Sequence, residues 1–345
     1  MSYINFQPKD YFNTLLYTGT GSTQSVTGVG FQPDLVWTKN RSTTNNHQIN
    51  DAVRGVNKQL APNLAAAEET NTGELTAFGS DGFTVGSGGT LNGNGNDIVS
   101  WNWKANGAGS SNSDGNASNV TVSADTTRGF SIVKFDVSTS IKTIGHGLGV
   151  APEVIVMKQI NGTTGWILGN THIGWNKYLM FQATGGLYSE TRMFYPNSNN
   201  PTSSVWETEG SAWLTPTSGT AIAYCFAPKK GFSKFGTYVG NGNANGAFIY
   251  TGFKPAFVLL KNTDTSGEWW IINDNKRDID NPIEKDLFPN IAGAEVSHSR
   301  MDFLSNGFKM RSTANNSNKN GNVFFFMAFA EEPLVSSNNI PATAR

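Results

Sequence analysis

The chain is 345 residues long, 15% of them charged, with a net charge of −1. An average soluble domain is about 25% charged, so Gly, Ser, Thr and Asn must cover much of this surface, as in loop-rich β proteins. The balance leaves neither the basic footprint of a nucleic-acid binder nor a polybasic segment for an anionic membrane, and a lone cysteine, Cys225, excludes an intrachain disulfide.

In chain order, residues 1–9 lack the basic start and apolar core of a signal peptide and read as a terminal docking segment made in a reducing cytosol. Then one pattern occurs three times. A Pro, five residues and a Lys recur as Pro33 to Lys39, Pro152 to Lys158 and Pro255 to Lys261. An aromatic precedes each Pro (Tyr17, Phe135, Tyr238), and an apolar strand ending in an aromatic follows each Lys (Trp103, Phe226, Phe329). The Lys-to-aromatic spacing is 64, 68 and 68 residues, a register that implies internal repetition.

The expected fold is all-β, three tandem β-sandwich-like modules of about 100 residues each. They span 10–104, 129–227 and 231–334, with a Gly/Ser/Asn-rich linker at 105–128 and a polar tail at 335–345. Modules two and three abut and are expected to be rigidly coupled, with module one offset by its linker. Gly19-Thr-Gly21, Gly145-His-Gly147 and Gly240-Asn-Gly242 predict turns with positive φ. Ser80-Asp-Gly-Phe83 and Ser305-Asn-Gly-Phe308 predict hairpins. Only Asn63 to Glu69 reads as helical, and Val323–Ala330 is too short to cross a membrane as a helix, which needs about 20 residues.

Residues that repeat most faithfully are expected to be structural. Lys39, Lys158 and Lys261 therefore read as buried stems whose amines bond loop carbonyls. The four histidines lack metal-ligand spacing. The acidic stretch 273–286 lacks the calcium-loop pattern and is broken by Lys and Arg, so a solvated loop is expected there. Glu207, Glu209 and Glu268 lie near tryptophans, as a glycosidase would need, but none recurs between modules. No catalytic, cofactor or metal residue is expected. Trp37, Trp101, Trp103, Trp166 and Trp269 read as core, whereas Trp175, Trp206, Trp213, Trp270 and Tyr195 are the candidates for surface contact.

The strings Phe6-Gln-Pro-Lys-Asp-Tyr-Phe-Asn-Thr14, Tyr17-Thr-Gly-Thr-Gly21, Gly28-Val-Gly-Phe-Gln-Pro-Asp-Leu-Val-Trp37, Lys39-Asn-Arg41 and Ser80-Asp-Gly-Phe-Thr-Val-Gly86 form one run, closed by Ile98-Val-Ser-Trp-Asn-Trp-Lys104. This run resembles a β-module found, often in tandem, in virion and tail proteins of bacteriophages, notably marine ones. The resemblance implies a virion location and carries no catalytic residue. The expectation is a non-enzymatic virion structural protein, made in the host cytoplasm and exposed as a tail-fibre, tail-associated or capsid-decorating element. Its partners would be other virion proteins and copies of itself, without nucleic acid or membrane insertion. Met1–Phe12 and Leu334–Arg345 are the expected docking segments, and the loops 41–46, 195–202 and 273–286 the expected contact loops. The alternative is a module that binds or cleaves host envelope glycan.

Overall fold

The computed structural model describes residues 6–210 and 218–333. It is nearly all β, built of antiparallel sheets. The expected tail at 335–345 and Trp213 lie outside the described residues.

One strand order occurs in each third of the chain. An opening strand (Phe12–Thr18, Phe130–Val137, Ser233–Val239) pairs with a closing strand (Asp97–Trp103, Gly219–Phe226, Val323–Ala330). The closing strand pairs on its other side with the lysine strand (Leu35–Asn40, Val154–Gln159, Pro255–Asn262). The lysine strand pairs with a short strand, termed the edge strand (Gln48–Asp51, Ile167–Asn170, Ile271–Asp274), although in the middle third it pairs on with Lys177–Met180. Each closing strand is therefore interior. In the middle and last thirds both of its faces are buried, which explains its unbroken apolar run.

An outer sheet packs on each of these. It contains Gln24–Thr27, Gly82–Val85 and Leu75–Gly79 in the first third, and Ile141–Gly145 with Val205–Glu209 in the middle third. In the last it contains Phe248–Tyr250, Gly307–Met310, Val296–Leu304 and Ile283–Asp286. Three separate apolar clusters fill these sandwiches. The Asx-Gly hairpins require glycine: a Cβ on Gly82 or Gly307 would lie 2.0 or 2.2 Å from the carbonyl oxygen of Val26 or Ile249.

The inner faces of all three main sheets meet in one central cluster. Phe12, Trp101 and Trp103 pack there with Val156, Tyr224 and Phe226, and with Phe257, Met327 and Phe329. The first third is thus not offset but contributes equally to a shared core. Three backbone hydrogen bonds close the arrangement into a ring: Glu68 N to Ile160 O at 2.7 Å, Leu187 N to Thr263 O at 2.9 Å, and Glu295 N to Arg41 O at 2.9 Å. Each acceptor stands two residues beyond a repeated lysine.

Two local expectations are corrected. Residues 105–128 do not hang between sheets, because Thr121–Asp125 pairs with the opening strand Phe130–Val137 and Ser110–Ser111 pairs with Thr121–Asp125. An open sheet edge supplies backbone partners whatever the side chains. Asn63 to Glu69 is not helical: Asn63 accepts from His47 N, and Glu68 N is drawn to the neighbouring third. The short helix lies instead at Gly89–Asn92.

Candidate functional site

The three lysines occupy one register, opposite Val99, Ile222 and Phe325, and none is exposed. Lys39 Nζ donates to the carbonyls of Asn40 (2.5 Å) and Thr43 (3.1 Å). Lys158 donates to Gln159 (2.6 Å) and Gly162 (2.9 Å), and Lys261 to Glu268 (2.5 Å) and Thr184 (3.2 Å). Burial pushes each amine down to about 8. They cap loops, and in Lys261 the cap reaches the preceding third.

Sequence reading missed a second repeat, Asn50-Asp51-x-x-Arg54 and Asn273-Asp274-x-x-Arg277. Each Asp ends an edge strand and caps the turn, accepting the backbone N of Arg54 (2.8 Å) or Arg277 (2.9 Å). The guanidinium then folds back. Arg54 bonds Asp51 (2.5 Å), Glu68 (3.0 Å) and the Ile49 carbonyl (2.8 Å). Arg277 bonds Asp274 (2.6 Å), Glu295 (3.1 Å) and the Ile272 carbonyl (2.9 Å). Burial would lower the Arg54 guanidinium, but Asp51, Tyr224 and Glu68 outweigh it and hold it above the usual arginine range.

Both triads receive a donor from another sheet. Tyr224 OH reaches Asp51 at 2.8 Å, and Trp101 Nε1 reaches Asp274 at 3.0 Å. At the third junction Asn170, Ile173 and Leu187 stand where Asp, Arg and Glu stand in the others, and Met327 holds the closing-strand position that Tyr224 and Trp101 hold. Ile173 and Leu187 pack on the central core.

The tryptophans at these junctions correct the surface reading. Trp166 and Trp270 each end in a hydrogen bond to a neighbouring third, to the Ala61 and Met180 carbonyls, both 2.9 Å. His47 holds the matching place in the first third. Its Nδ1 accepts from Trp37 Nε1 at 3.1 Å, leaving the neutral ring's proton on Nε2. Burial holds its pKa well below the usual histidine range, opposed by the Phe288 backbone.

Trp270 is therefore core, as are Trp175 and Trp206, which pack against Phe194 and Phe135. Tyr195 is half-buried against the middle sandwich. Trp269, expected in the core, is 40% exposed. Of the docking segment Met1–Phe12, Phe12 is buried and Phe6 packs on Phe232, so that stretch is part of the fold from Phe6 onward.

The contact loop 273–286 is not a solvated acidic loop. Asp286 is buried, bonded by Arg300 Nε (2.6 Å) and Asn273 Nδ2 (2.9 Å), and Asp278 accepts the backbone N of Glu284 (2.7 Å) and Lys285 (2.5 Å). Among the described residues no three His, Cys, Asp or Glu side chains are grouped to hold a metal. Glu207 accepts from Asn199 at 3.2 Å, on the strand Val205–Glu209 that it shares with Glu209; Glu268 lends its carbonyl to Lys261. Asn92 and Asn318 were also missed. Each is buried and bonds the Gly-x-Gly turn, accepting from Thr20 N (2.8 Å) and Asn241 N (3.0 Å). The repeated string Asn-x-Asn-Gly-Asn marks both.

A cleft of about 320 Å³ opens beside the second triad. Asn275, Lys276, Asp278 and Glu331 form its polar side, and Ile279, Ile283 and Phe303 its apolar side. Glu331 is fixed by Asn275 Nδ2 (2.9 Å) and by an ion pair with Lys276.

No curated protein and no solved structure matches this sequence. A family described as "Domain of unknown function (DUF7483)" matches residues 7–333, a stretch that takes in all three main sheets, and the chain belongs to that family.

Proposed function

We propose that this protein is a non-enzymatic bacteriophage virion structural protein, exposed on the particle as a tail-fibre, tail-associated or capsid-decorating element, and acting in assembly and host-surface contact. The observation that carries the reading is the ring itself. Three sheets share one apolar core, and their junctions are tied by two buried Asp–Arg–Glu triads and three inter-sheet backbone bonds. Such a body holds its loops in fixed relation, which suits a protein that bears load and presents surface. The resemblance of residues 6–104 to phage tail and virion modules supports the same reading. Its partners are other virion proteins and further copies of this chain.

The test is to produce particles with the chain tagged, identify it by mass spectrometry and locate it in a reconstruction. A variant lacking residues 334–345 is expected to fold and to be lost from particles. Absence of the full chain from particles would overturn the reading. So would release of reducing sugar from host polysaccharide that disappears in Glu207→Gln or Glu209→Gln.

A further inference from the structure

The ring offers an internal standard against which departures can be located. Leu60, Leu179 and Leu287 bear the same relation to the edge strands, each lying opposite Ile49, Leu168 or Ile272. From the edge-strand Asp or Asn to that leucine the chain takes 9 residues in the first third (Asp51 to Leu60) and 9 in the middle (Asn170 to Leu179). In the last third it takes 13 (Asp274 to Leu287). The extra residues fall between Asn275 and Ile283, and residues of this stretch wall the cleft. A feature present in one third and absent from its two counterparts is not needed to close the ring.

From this geometry we infer that the cleft is a binding site for one hexopyranose unit of a surface glycan. Its volume lies in the range of small-ligand pockets, about 300–1,000 Å³. Its lining carries two lysines (Lys254, Lys276) against three carboxylates (Asp278, Glu331, Glu332), which disfavours a strongly charged ligand of either sign. Neutral hydroxyls suit it better. Carboxylate oxygens accept from them, and the Lys276 ammonium and the Asn275 amide donate.

These acceptors are pre-oriented. Asp278 is held by two backbone N–H groups, and Glu331 by Asn275 and Lys276. Binding then orders few side chains. Ile279 offers the apolar contact for the C–H face of a pyranose, over a floor of buried Ile283 and Phe303. Ile279 is 63% exposed, a position where an isoleucine contributes nothing to the core but can cover a ligand.

The inference does not depend on a virion location. Titration of the free protein reads the cleft, whereas incorporation into particles reads the location, so the two fail separately. The probes are methyl pyranosides of glucose, galactose, mannose and N-acetylglucosamine, with maltose and lactose, added to the full chain and followed by calorimetry and ligand-observed NMR. At least one is expected to bind saturably with a Kd on the order of 1 mM. Lys276→Met is expected to weaken binding roughly tenfold.

Ile279→Asp, at an exposed position, is expected to weaken it comparably while leaving the melting temperature unchanged. No saturable binding of any probe up to about 20 mM, or equal binding by wild type and Ile279→Asp, would overturn the site. Saturable binding of inorganic phosphate without any glycoside would overturn the ligand class.

Discussion

The junction of the first and middle thirds and the junction of the middle and last thirds solve the same packing problem with opposite chemistry. At the first, Asp51, Arg54 and Glu68 form a buried ionic triad that Tyr224 joins. At the second, Asn170, Ile173 and Leu187 occupy the same places, Met327 holds the place of Tyr224, and Ile173 and Leu187 simply extend the apolar core. The backbone bond that crosses each junction is nearly the same length, 2.7 against 2.9 Å. The ring therefore needs the backbone tie and close packing, and tolerates either charge or hydrocarbon beneath it. Removing two ions from water costs several kcal/mol, so a buried triad is not in itself a source of net stability. Its value is selective: a mispaired junction would leave a carboxylate or guanidinium buried and alone.

The comparison breaks most sharply if one partner alone is removed. Arg277→Met leaves Asp274 in the interior without a cationic partner, while Glu295 keeps its pair with Arg41, and is expected to cost about 3–5 kcal/mol in urea unfolding. The matching change at the apolar junction, Ile173→Val, is expected to cost about 0.5–1.5 kcal/mol. Similar losses at both would mean that the triad is hydrated rather than buried. Trp101→Phe keeps a ring in the core but withdraws the donor from Asp274, and should cost about 1–3 kcal/mol; a neutral result would show that the charge is satisfied by Arg277 alone.

The pH dependence separates the lysine caps from the triads. The folded amines of Lys39, Lys158 and Lys261 sit at about 8 against an ordinary 10.5. Between those values the unfolded chain binds more protons, so stability rises with pH, on the order of 1 kcal/mol per pH unit for each lysine. The gain is opposed above pH 10, because burial raises the phenols of Tyr17, Tyr224 and Tyr238. At the acid end His47 acts in the same sense. Its folded pKa is depressed, so stability is lost as pH falls below about 6.5. Urea midpoints from pH 5 to 10 measure both arms, and Lys158→Met should flatten part of the alkaline rise.

A small effect is expected from the largest change. Converting the first junction to the chemistry of the other, by Asp51→Asn, Arg54→Ile, Glu68→Leu and Tyr224→Met together, should leave stability within about 1–2 kcal/mol of wild type. A collapse on the scale of Arg277→Met would show that the junctions are not interchangeable.

The strands were legible because their signals are local. The Pro-x5-Lys runs and the closing strands carry their burial in consecutive residues, and the Gly-x-Gly turns adopt the expected positive φ at Gly21, Gly147 and Gly242. The junctions were not legible, because their partners lie far apart: 173 residues separate Asp51 from Tyr224, and again Trp101 from Asp274. Periodicity says that a face is apolar but not which other face will cover it.

The Asp-x-x-Arg repeat was present in the sequence and hidden by its setting, since mixed charge at 273–286 reads as solvent-exposed unless the pairing is known. Trp269 and Trp270 exchanged roles for a simpler reason. The loop after Lys261 is one residue longer than that after Lys158, and a one-residue shift in a strand turns the other face inward. Of the cleft, its loop was legible as distinctive, while the walls depend on Glu331, which the sequence places far from Asn275.

Lys9 stands 3.4 Å from Glu332. The first and last stretches of the described chain thus meet at one corner, and the other two junctions are linked covalently through residues 104–129 and 227–232. Chain order then acts as a tether that raises the local concentration of three like sheets, rather than as the instruction for where each belongs. A circular permutant beginning at Phe232, ending at Ala227 and bridged from the Glu332 side to the Lys9 side would keep every junction intact, with its polypeptide read in a different order.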